Sequence, residues 1–187
     1  MPATLYHATL KSISPYSQSQ RFQSKKESQE THDAFEKRVW RERLHVDKDG
    51  NVFIPPMAFR NALNEAAKFL SMKIPGQGQK TYTKIFERGL LLCDEIPLPV
   101  KAAEVPGQWL FVPADGKPGG GTRVDRCFPV IQAWEAKVPI HTLHDLITEE
   151  ILRLHLEAAG SYIGIGYFRP QNRGYWGRFE VVGLKKA

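Results

Sequence analysis

The stretch NVFIPPMAFRNALNEAAKFL, residues 51–70, decides the fold of this 187-residue chain. From Phe59 to Leu70 its apolar side chains recur at spacings of three and four residues, which is the pattern of a helix with one buried face. Proline is favoured at the first position of a helix because its missing N–H would be unpaired there anyway. The stretch therefore predicts a short strand over 51–54 and a helix that begins at Pro55-Pro56.

Further strands and a second helix are predicted on either side of this stretch. Residues 3–13 alternate loosely and are rich in β-forming side chains, which is typical of a strand. Thr148 is placed to cap a helix whose first turn holds Glu149 and Glu150, where the helix dipole favours acids, and Gly160 is placed to end it. The other predicted strands lie within 90–99, 109–112, 127–138, 162–168 and 175–182.

In chain order these elements alternate as strand, helix, strand, strand, helix, strand. This is the βαββαβ order of a ferredoxin-like, or RRM-like, α+β domain. The length fits one domain, with long insertions at about residues 16–50, 73–89 and 100–126. Within the first insertion, residues 17–33 are almost free of aliphatic side chains, which predicts a mobile surface loop, and a helical turn or two is expected within 34–44. Residues 115–122 predict a flexible loop or hairpin tip.

The composition excludes several classes of protein. With 42% hydrophobic and 11% aromatic residues the chain can form a core. Its two cysteines, Cys93 and Cys127, cannot build a disulfide scaffold, and no CxxC pattern indicates structural zinc. No signal peptide is recognisable, and no apolar stretch approaches the roughly 20 residues of a membrane helix. We therefore expect a protein of the bacterial cytoplasm, with no membrane partner and no cofactor.

Positive charge is concentrated in two parts of the chain. The net charge is +6, and residues 60–90 and 160–187 each carry +4, whereas residues 127–159 carry −3. A basic excess of this kind suggests an anionic partner. A solvated cationic surface is the alternative interpretation.

The run from Gly164 to Arg178 interleaves glycine, aromatic residues and arginine. Glycine lets a backbone approach a polyanion, arginine binds phosphate in a bidentate manner, and aromatic rings stack on unpaired bases. On a strand through 175–182, Trp176 and Arg178 would share one face. The run therefore predicts binding of single-stranded nucleic acid; the alternative is a glycine-rich hairpin whose aromatic side chains only pack.

The candidate nucleic-acid-binding residues are cations of the basic segments and one aromatic residue. They are Arg21, Lys25, Arg38, Arg41, Arg43, Arg60, Lys80, Lys84, Arg123, Arg169, Arg173, Trp176 and Arg178.

Enzyme motifs give little support for catalysis. The chain has no GxSxG, Walker A or HExxH motif. Two clusters could in principle bind a metal ion or activate a hydroxyl group: His141, His144, Asp145 and His155; and His32, Asp33 and Glu36. A loop that leads into a helix explains the first cluster, and solvated charges explain the second, so we expect neither catalytic residues nor a metal site.

Three short segments carry a family resemblance. They are Ile13-Ser-Pro-Tyr-Ser17 after the first strand, Val52 to Leu63, and the glycine-rich pair formed by Gly164 to Pro170 and Gly174 to Phe179. Together they resemble the RAMP superfamily, whose members coat the guide RNA in CRISPR effector complexes. The second segment is similar to the motif IPG-S-S-LKGALR at the start of the first helix, and the third to the loop GxGxxRxxGxGR. Pro56 departs from this pattern by replacing a glycine, and Phe59-Arg60 replaces Leu-Lys.

The resemblance implies a palm-like sheet and a projecting thumb, supplied by residues 73–88 or 100–126. It places Arg60 in the first turn of a helix, beside phosphate, and adds backbone contacts from Arg169, Arg173 and Arg178. It implies a non-catalytic subunit that binds single-stranded RNA, or else single-stranded DNA, and assembles along it as a homo-oligomer or filament.

Two alternatives remain open at this point. The chain also resembles proteins of bacteriophages and prophages, so it could be a phage protein that mimics a CRISPR backbone subunit and inhibits the host effector complex, with effector subunits as its partners. The second alternative is a metal-dependent endoribonuclease that uses His32, Asp33 or Glu36.

Overall fold

The structure is a computed structural model that describes residues 3–116 and 121–187. The strands are β1 (Thr4–Ser12), β2 (Asn51–Ile54), β3 (Leu90–Leu91), β4 (Ile96–Lys101), β5 (Gly107–Pro113), β6 (Arg123–Pro129), β7 (Glu135–Thr142) and β8 (Phe179–Lys186). The helices are α1 (His32–Val39), α2 (Pro56–Leu70), α3 (Thr83–Gly89) and α4 (Glu149–Ala158). Short 3-10 turns cover Trp40–Arg43 and Pro170–Asn172, and a π-turn covers Ala159–Ile163.

Four strands form an antiparallel sheet in the order β3-β7-β1-β8. Strands β1 and β3 run parallel with β7 between them, and β7 and β8 run parallel with β1 between them. Helix α2 lies between β1 and β3 in the chain, and α4 lies between β7 and β8. The α+β class and the βαββαβ order that the sequence predicts are therefore present, as two split βαβ units.

The main core lies between this sheet and the two long helices. Alternate residues of β1, Tyr6, Ala8 and Leu10, are buried, as the two-residue period of a strand requires. They belong to the same apolar cluster as Phe59 of α2 and Leu152 of α4. The sheet thus buries one face beneath the helices, and this packing fixes where the loops at the helix ends meet.

The helix predicted at Pro55-Pro56 is confirmed. Pro55 has extended backbone and Pro56 is the first residue of α2, which buries its predicted apolar face. The helix ends at Ser71, whose backbone is left-handed with φ 45°. The sequence pattern alone therefore identified the start of α2 and its buried face.

Helix α4 begins where it was predicted and ends at Ala158, after which a π-turn continues the helical path. The Thr148 hydroxyl accepts a hydrogen bond from the Ile151 N–H at 3.3 Å. The predicted end is within two residues of Ala158, but Gly160 is not the terminator, because the π-turn continues the helical path until Gly164, whose φ is +71°. A Cβ at Gly160 would overlap the carbonyl oxygen of Phe179. Glycine at this position allows the backbone of β8 to approach closely.

Four predicted strands differ from the observed ones. The stretch 127–138 holds parts of two strands, because Ile131 turns the chain away from β6 and bridges to Tyr16. Residues 162–168 form no strand, since the N–H groups of Ile165 and Tyr167 donate to Gly177 and Ser17 in a compact turn. The C-terminal strand begins at 179 rather than 175. At the start of the predicted 90–99 stretch, only Leu90–Leu91 pairs.

The first insertion is anchored more firmly than its composition suggests. Ser17 and Gln18 are buried. The Gln18 amide donates to the Phe53 carbonyl and accepts from the His45 N–H, both at 2.7 Å. The predicted surface loop is therefore wrong for its first two residues, and the helical turn expected within 34–44 is present as α1 and the 3-10 turn that follows.

The other two insertions have different forms. Residues 73–89 include α3, whose buried Phe86 packs on His155 of α4, so this segment packs on the helices and does not project as a thumb. Residues 107–129 contain a two-stranded hairpin, β5–β6, which is separate from the main sheet. The tip predicted at 115–122 falls partly on residues 117–120, outside the described residues. No helix in the described part of the chain is long and apolar enough to cross a membrane.

Candidate nucleic-acid interface

The glycine-rich loop, residues 164–178, folds into a compact turn. The N–H groups of Ile165 and Trp176 donate within the loop, to Gly177 and Phe168, and the N–H of Gly177 donates to Pro15 at 2.7 Å. Because these donors are engaged inside the protein, they are not free to bind phosphate. The loop therefore offers its side chains, more than these amides, for contacts with a ligand.

Gly166 illustrates why this loop needs glycine. Its φ is +76°, and a Cβ there would overlap the Ser17 carbonyl oxygen and crowd the Tyr16 ring. The sequence suggested that glycine lets the backbone approach a polyanion. At Gly166 the close approach is instead to the segment that follows β1.

Trp176 is a correction to the predicted site. It precedes β8 and is only 3% exposed, packed with Phe128 and Val130 in a small apolar cluster. Its ring meets Phe168 edge-on, with centroids 5.1 Å apart. A base cannot stack on this buried ring, so the alternative interpretation, in which the aromatic side chain only packs, holds for Trp176. The neighbouring Tyr175 is 62% exposed.

A first cleft lies where three segments meet: the chain after β1, the start of α2, and the glycine-rich loop. Its volume is about 230 Å³. These are the same three segments that carry the family resemblance. The polar side chains that line this first cleft include Gln18, Ser19, Gln20, His45, Asn61, Arg169 and Gln171.

Arg169 is held in the first cleft by a short chain of hydrogen bonds. Its Nε donates to the Gln171 amide oxygen at 3.0 Å, and a terminal guanidinium nitrogen donates to the Gly166 carbonyl at 3.4 Å. The Gln171 amide nitrogen in turn donates to Glu65 of α2 at 2.9 Å. The chain of bonds fixes the guanidinium beside α2 and leaves part of its donor edge available.

A second cleft lies between the glycine-rich loop and the hairpin. Its volume is about 620 Å³, and Arg173 and Phe168 line one side while Val112 and Pro113 line the other. Gln171 lines both clefts, so the two adjoin along the glycine-rich loop. The loop thus places one arginine in each of two neighbouring grooves.

The hairpin presents two aromatic side chains that the sequence analysis missed. Leu110 and Val112 pack on the small cluster around Trp176, and on the opposite strand face Trp109 and Phe111 are 43% and 59% exposed. Arg123 donates to the Phe111 carbonyl at 2.7 Å, with its guanidinium 5.4 Å from the ring centroid. Exposed rings beside arginine suit stacking on bases. Trp109 and Phe111 alternate within the predicted strand 109–112, and this alternation was the sequence signal that could have placed both rings on one face.

Arg43 is the second correction. It is buried, and its guanidinium bonds to Glu36 at 2.6 Å and to the Cys127 carbonyl at 3.0 Å. It lies between the rings of Phe22 and Phe128, 4.3 and 5.0 Å from their centroids. Arg43 therefore fastens the 3-10 turn to the hairpin and is not available to phosphate.

The remaining cations of the first insertion lie nearer the surface. Arg38 makes two 2.8 Å bonds to Glu30, which lower the pKa of that carboxyl to about 2. Arg41 stacks over Trp40 and lines a depression that shares Gln20 and His45 with the first cleft. Arg21 and Lys25 are exposed. Of these cations, Arg41 is the one that the structure places beside the cleft.

The other predicted cations line neither cleft. Arg60 lies on the second turn of α2 and donates to the Glu87 carbonyl at 3.3 Å, so it faces α3 and not the helix N-terminus. Lys80 and Lys84 are exposed near α3. Arg178 donates to the Ser161 carbonyl at 3.1 Å. The structure therefore places Arg169 and Arg173 in the two adjoining clefts, Arg41 beside the first cleft and Arg123 on the hairpin. The other predicted cations lie elsewhere.

The two candidate metal or catalytic clusters differ in arrangement: His32, Asp33 and Glu36 line one pocket, whereas members of the first cluster are engaged elsewhere in the protein. His155 is buried, and its ring stacks on Phe86 at 4.1 Å, while His144 accepts from the Leu146 N–H. Glu36 is engaged by Arg43 and by the Cys127 N–H. Within the part of the chain that the structure describes, no three His, Cys, Asp or Glu side chains are grouped to hold a metal ion.

Comparisons with known proteins relate this arrangement to CRISPR subunits. No protein-family model matches the sequence, and no curated protein matches it. A chain of the Type III-B Cmr-beta bound to cognate target RNA matches with a TM-score of 0.52 and 8% identity, covering 98% of this chain and 60% of that one. Cmr6 from Pyrococcus furiosus matches with a TM-score of 0.51 and 12% identity, covering 97% of this chain and 99% of that one. The chain therefore has the fold of the RAMP-type CRISPR subunits.

Proposed function

We propose that this chain is a RAMP-like subunit of the bacterial cytoplasm that binds single-stranded nucleic acid. The observation that carries the proposal is the pair of adjoining clefts along the glycine-rich loop, with Arg169 in one and Arg173 in the other. Guanidinium groups bind phosphate with paired hydrogen bonds, and a cationic groove follows a flexible strand without regard to its sequence.

The hairpin supplies the second element of the proposed interface. The exposed rings of Trp109 and Phe111, with Arg123 beside them, offer stacking surfaces that a single strand can use and a paired duplex cannot. The preference for RNA over single-stranded DNA rests on the similar Cmr-beta chain, whose structure contains target RNA.

The proposal is for binding without cleavage. Glu36, which the endoribonuclease alternative would use, is committed to a buried ion pair with Arg43. Labelled RNA incubated with magnesium should therefore remain intact. Cleavage that disappears in Asp33→Ala would instead favour the endoribonuclease.

Titration of labelled RNA and DNA oligonucleotides tests binding. We expect single-stranded RNA to bind more tightly than single-stranded DNA and much more tightly than duplex. For single strands each lost phosphate contact makes the negative slope of log K against log salt less steep by about 0.7. Arg169→Ala and Arg173→Ala should each show that loss, whereas Lys48→Ala, an exposed lysine outside both clefts, should not.

Assembly along the strand is part of the same proposal. The mass of the protein, measured by light scattering, should rise when a long single strand is added and should scale with strand length. A chain that binds no nucleic acid but is retained by CRISPR effector subunits in a pull-down would favour the phage mimic instead.

A further inference from the structure

The first cleft differs from a phosphate groove in the chemistry of its walls. Arg169 is the one cation and no carboxylate lines it, within the described residues. Its other polar side chains carry no fixed charge: the amides of Gln18, Gln20, Asn61 and Gln171, the hydroxyls of Tyr16 and Ser19, and the ring of His45. Burial lowers the pKa of His45, which favours the uncharged form of this ring. The chemistry favours a neutral polar ligand.

The shape of the first cleft limits the size of that ligand. A volume of about 230 Å³ lies below the roughly 300–1,000 Å³ of sites for drug-sized molecules. Its lining includes the buried side chains Tyr16 and Ile163, together with Pro55 and Met57, so apolar surface lies beneath and beside the amides. A flat ring with polar edges fits such a cleft; a chain of phosphates does not.

Asn61 is the amide best placed to read such a ring. It lies one turn after Met57 on the exposed side of α2, and within the described residues its side chain has no hydrogen-bond partner. Gln171, in contrast, is already engaged by Arg169 and Glu65. An amide offers one donor edge and one acceptor, which is the complement that the edge of an unpaired base presents.

We infer that the first cleft takes a single unpaired nucleobase and that Asn61 recognises its edge. The inference rests on the proposed function, because it supplies the base-reading part of the same single-strand interface. Arg169, at the rim that it shares with Gln171, would then contact the adjoining phosphate. The protein would bind any single strand through phosphates but prefer certain bases at this position.

The test separates base recognition from phosphate binding. Labelled 12-mers of adenosine, uridine and cytidine, and an abasic phosphodiester of equal length, are titrated against the native protein, Asn61→Ala and the exposed control Gln132→Ala. We expect Asn61→Ala to weaken binding of the preferred homopolymer about 5- to 100-fold, with an unchanged salt slope. It should leave binding of the abasic strand unaltered.

Two outcomes overturn the inference in different ways. If the native protein binds RNA but Asn61→Ala binds every strand as the native protein does, the cleft reads no base and the proposed function stands. If the native protein binds no single strand at low salt, the proposed function fails and the inference fails with it.

Discussion

The buried ion pair between Glu36 and Arg43 should control the stability of the hairpin side of the molecule. The two groups are 2.6 Å apart, with side chains only 9% and 8% exposed. Removing one partner of a buried pair leaves an uncompensated charge and costs about 3–5 kcal/mol. Glu36→Gln and Arg43→Met should each lose that amount. For a chain of this size the loss lowers Tm by about 6–20 °C.

The double variant distinguishes a charge effect from simple loss of packing. Glu36→Gln with Arg43→Met removes both charges, and the Gln amide oxygen can still accept from the Cys127 N–H, as Glu36 does at 3.0 Å. Only the Cys127 carbonyl loses its donor, which costs about 1–3 kcal/mol. The double variant should therefore be more stable than either single variant.

Urea denaturation followed by circular dichroism measures these differences. Lys68→Met is the control, because its 2.8 Å pair with Glu65 lies at the surface and should affect stability little. Single variants that lose less than about 1 kcal/mol, or a double variant that loses the sum of both, would refute the reasoning.

Two further predictions concern packing and pH. Gly160→Ala should destabilise the protein by about 1–3 kcal/mol in thermal melts, because its Cβ would overlap the Phe179 carbonyl. Gly183→Ala is the control and should be tolerated, because its Cβ would meet only Thr9, at 3.8 Å. Equal melting temperatures for both variants would contradict this prediction. Burial lowers the pKa of His155, so as pH falls below about 6.5 the unfolded state takes up the proton first and stability decreases. His155→Phe should remove part of that decrease between pH 7 and 5; an unchanged pH dependence would show that the buried ring is not its source.

Local sequence patterns predicted correctly those helix starts that depend on neighbouring residues. The prolines identified the start of α2, its apolar spacing identified its buried face, and Thr148 identified the start of α4. Gly160 was misinterpreted because a glycine after a helix looks like a terminator. Its actual role depends on β8, which is close in space and distant in sequence.

The candidate site depended more on tertiary contacts. Arg169 and Arg173 were predicted from the glycine-rich run, and both line clefts. Trp176 and Arg43 belong to patterns that look accessible, but each is buried by contacts with β6 of the hairpin. Asn61 carried no signal of its own, because a polar residue on the outer face of a helix is the ordinary case.

Salt-dependent binding of single-stranded RNA is the decisive test of whether this chain holds a single strand by its phosphates. The affinity of the native protein for a labelled single strand is measured between 50 and 200 mM salt, with a duplex of equal length as the comparison. If Arg41, Arg123, Arg169 and Arg173 contact phosphates, log K should fall linearly with log salt with a slope of about −2 to −3, and the duplex should bind far more weakly. Absence of binding at the lowest salt, or equal affinity for the duplex, would contradict the account.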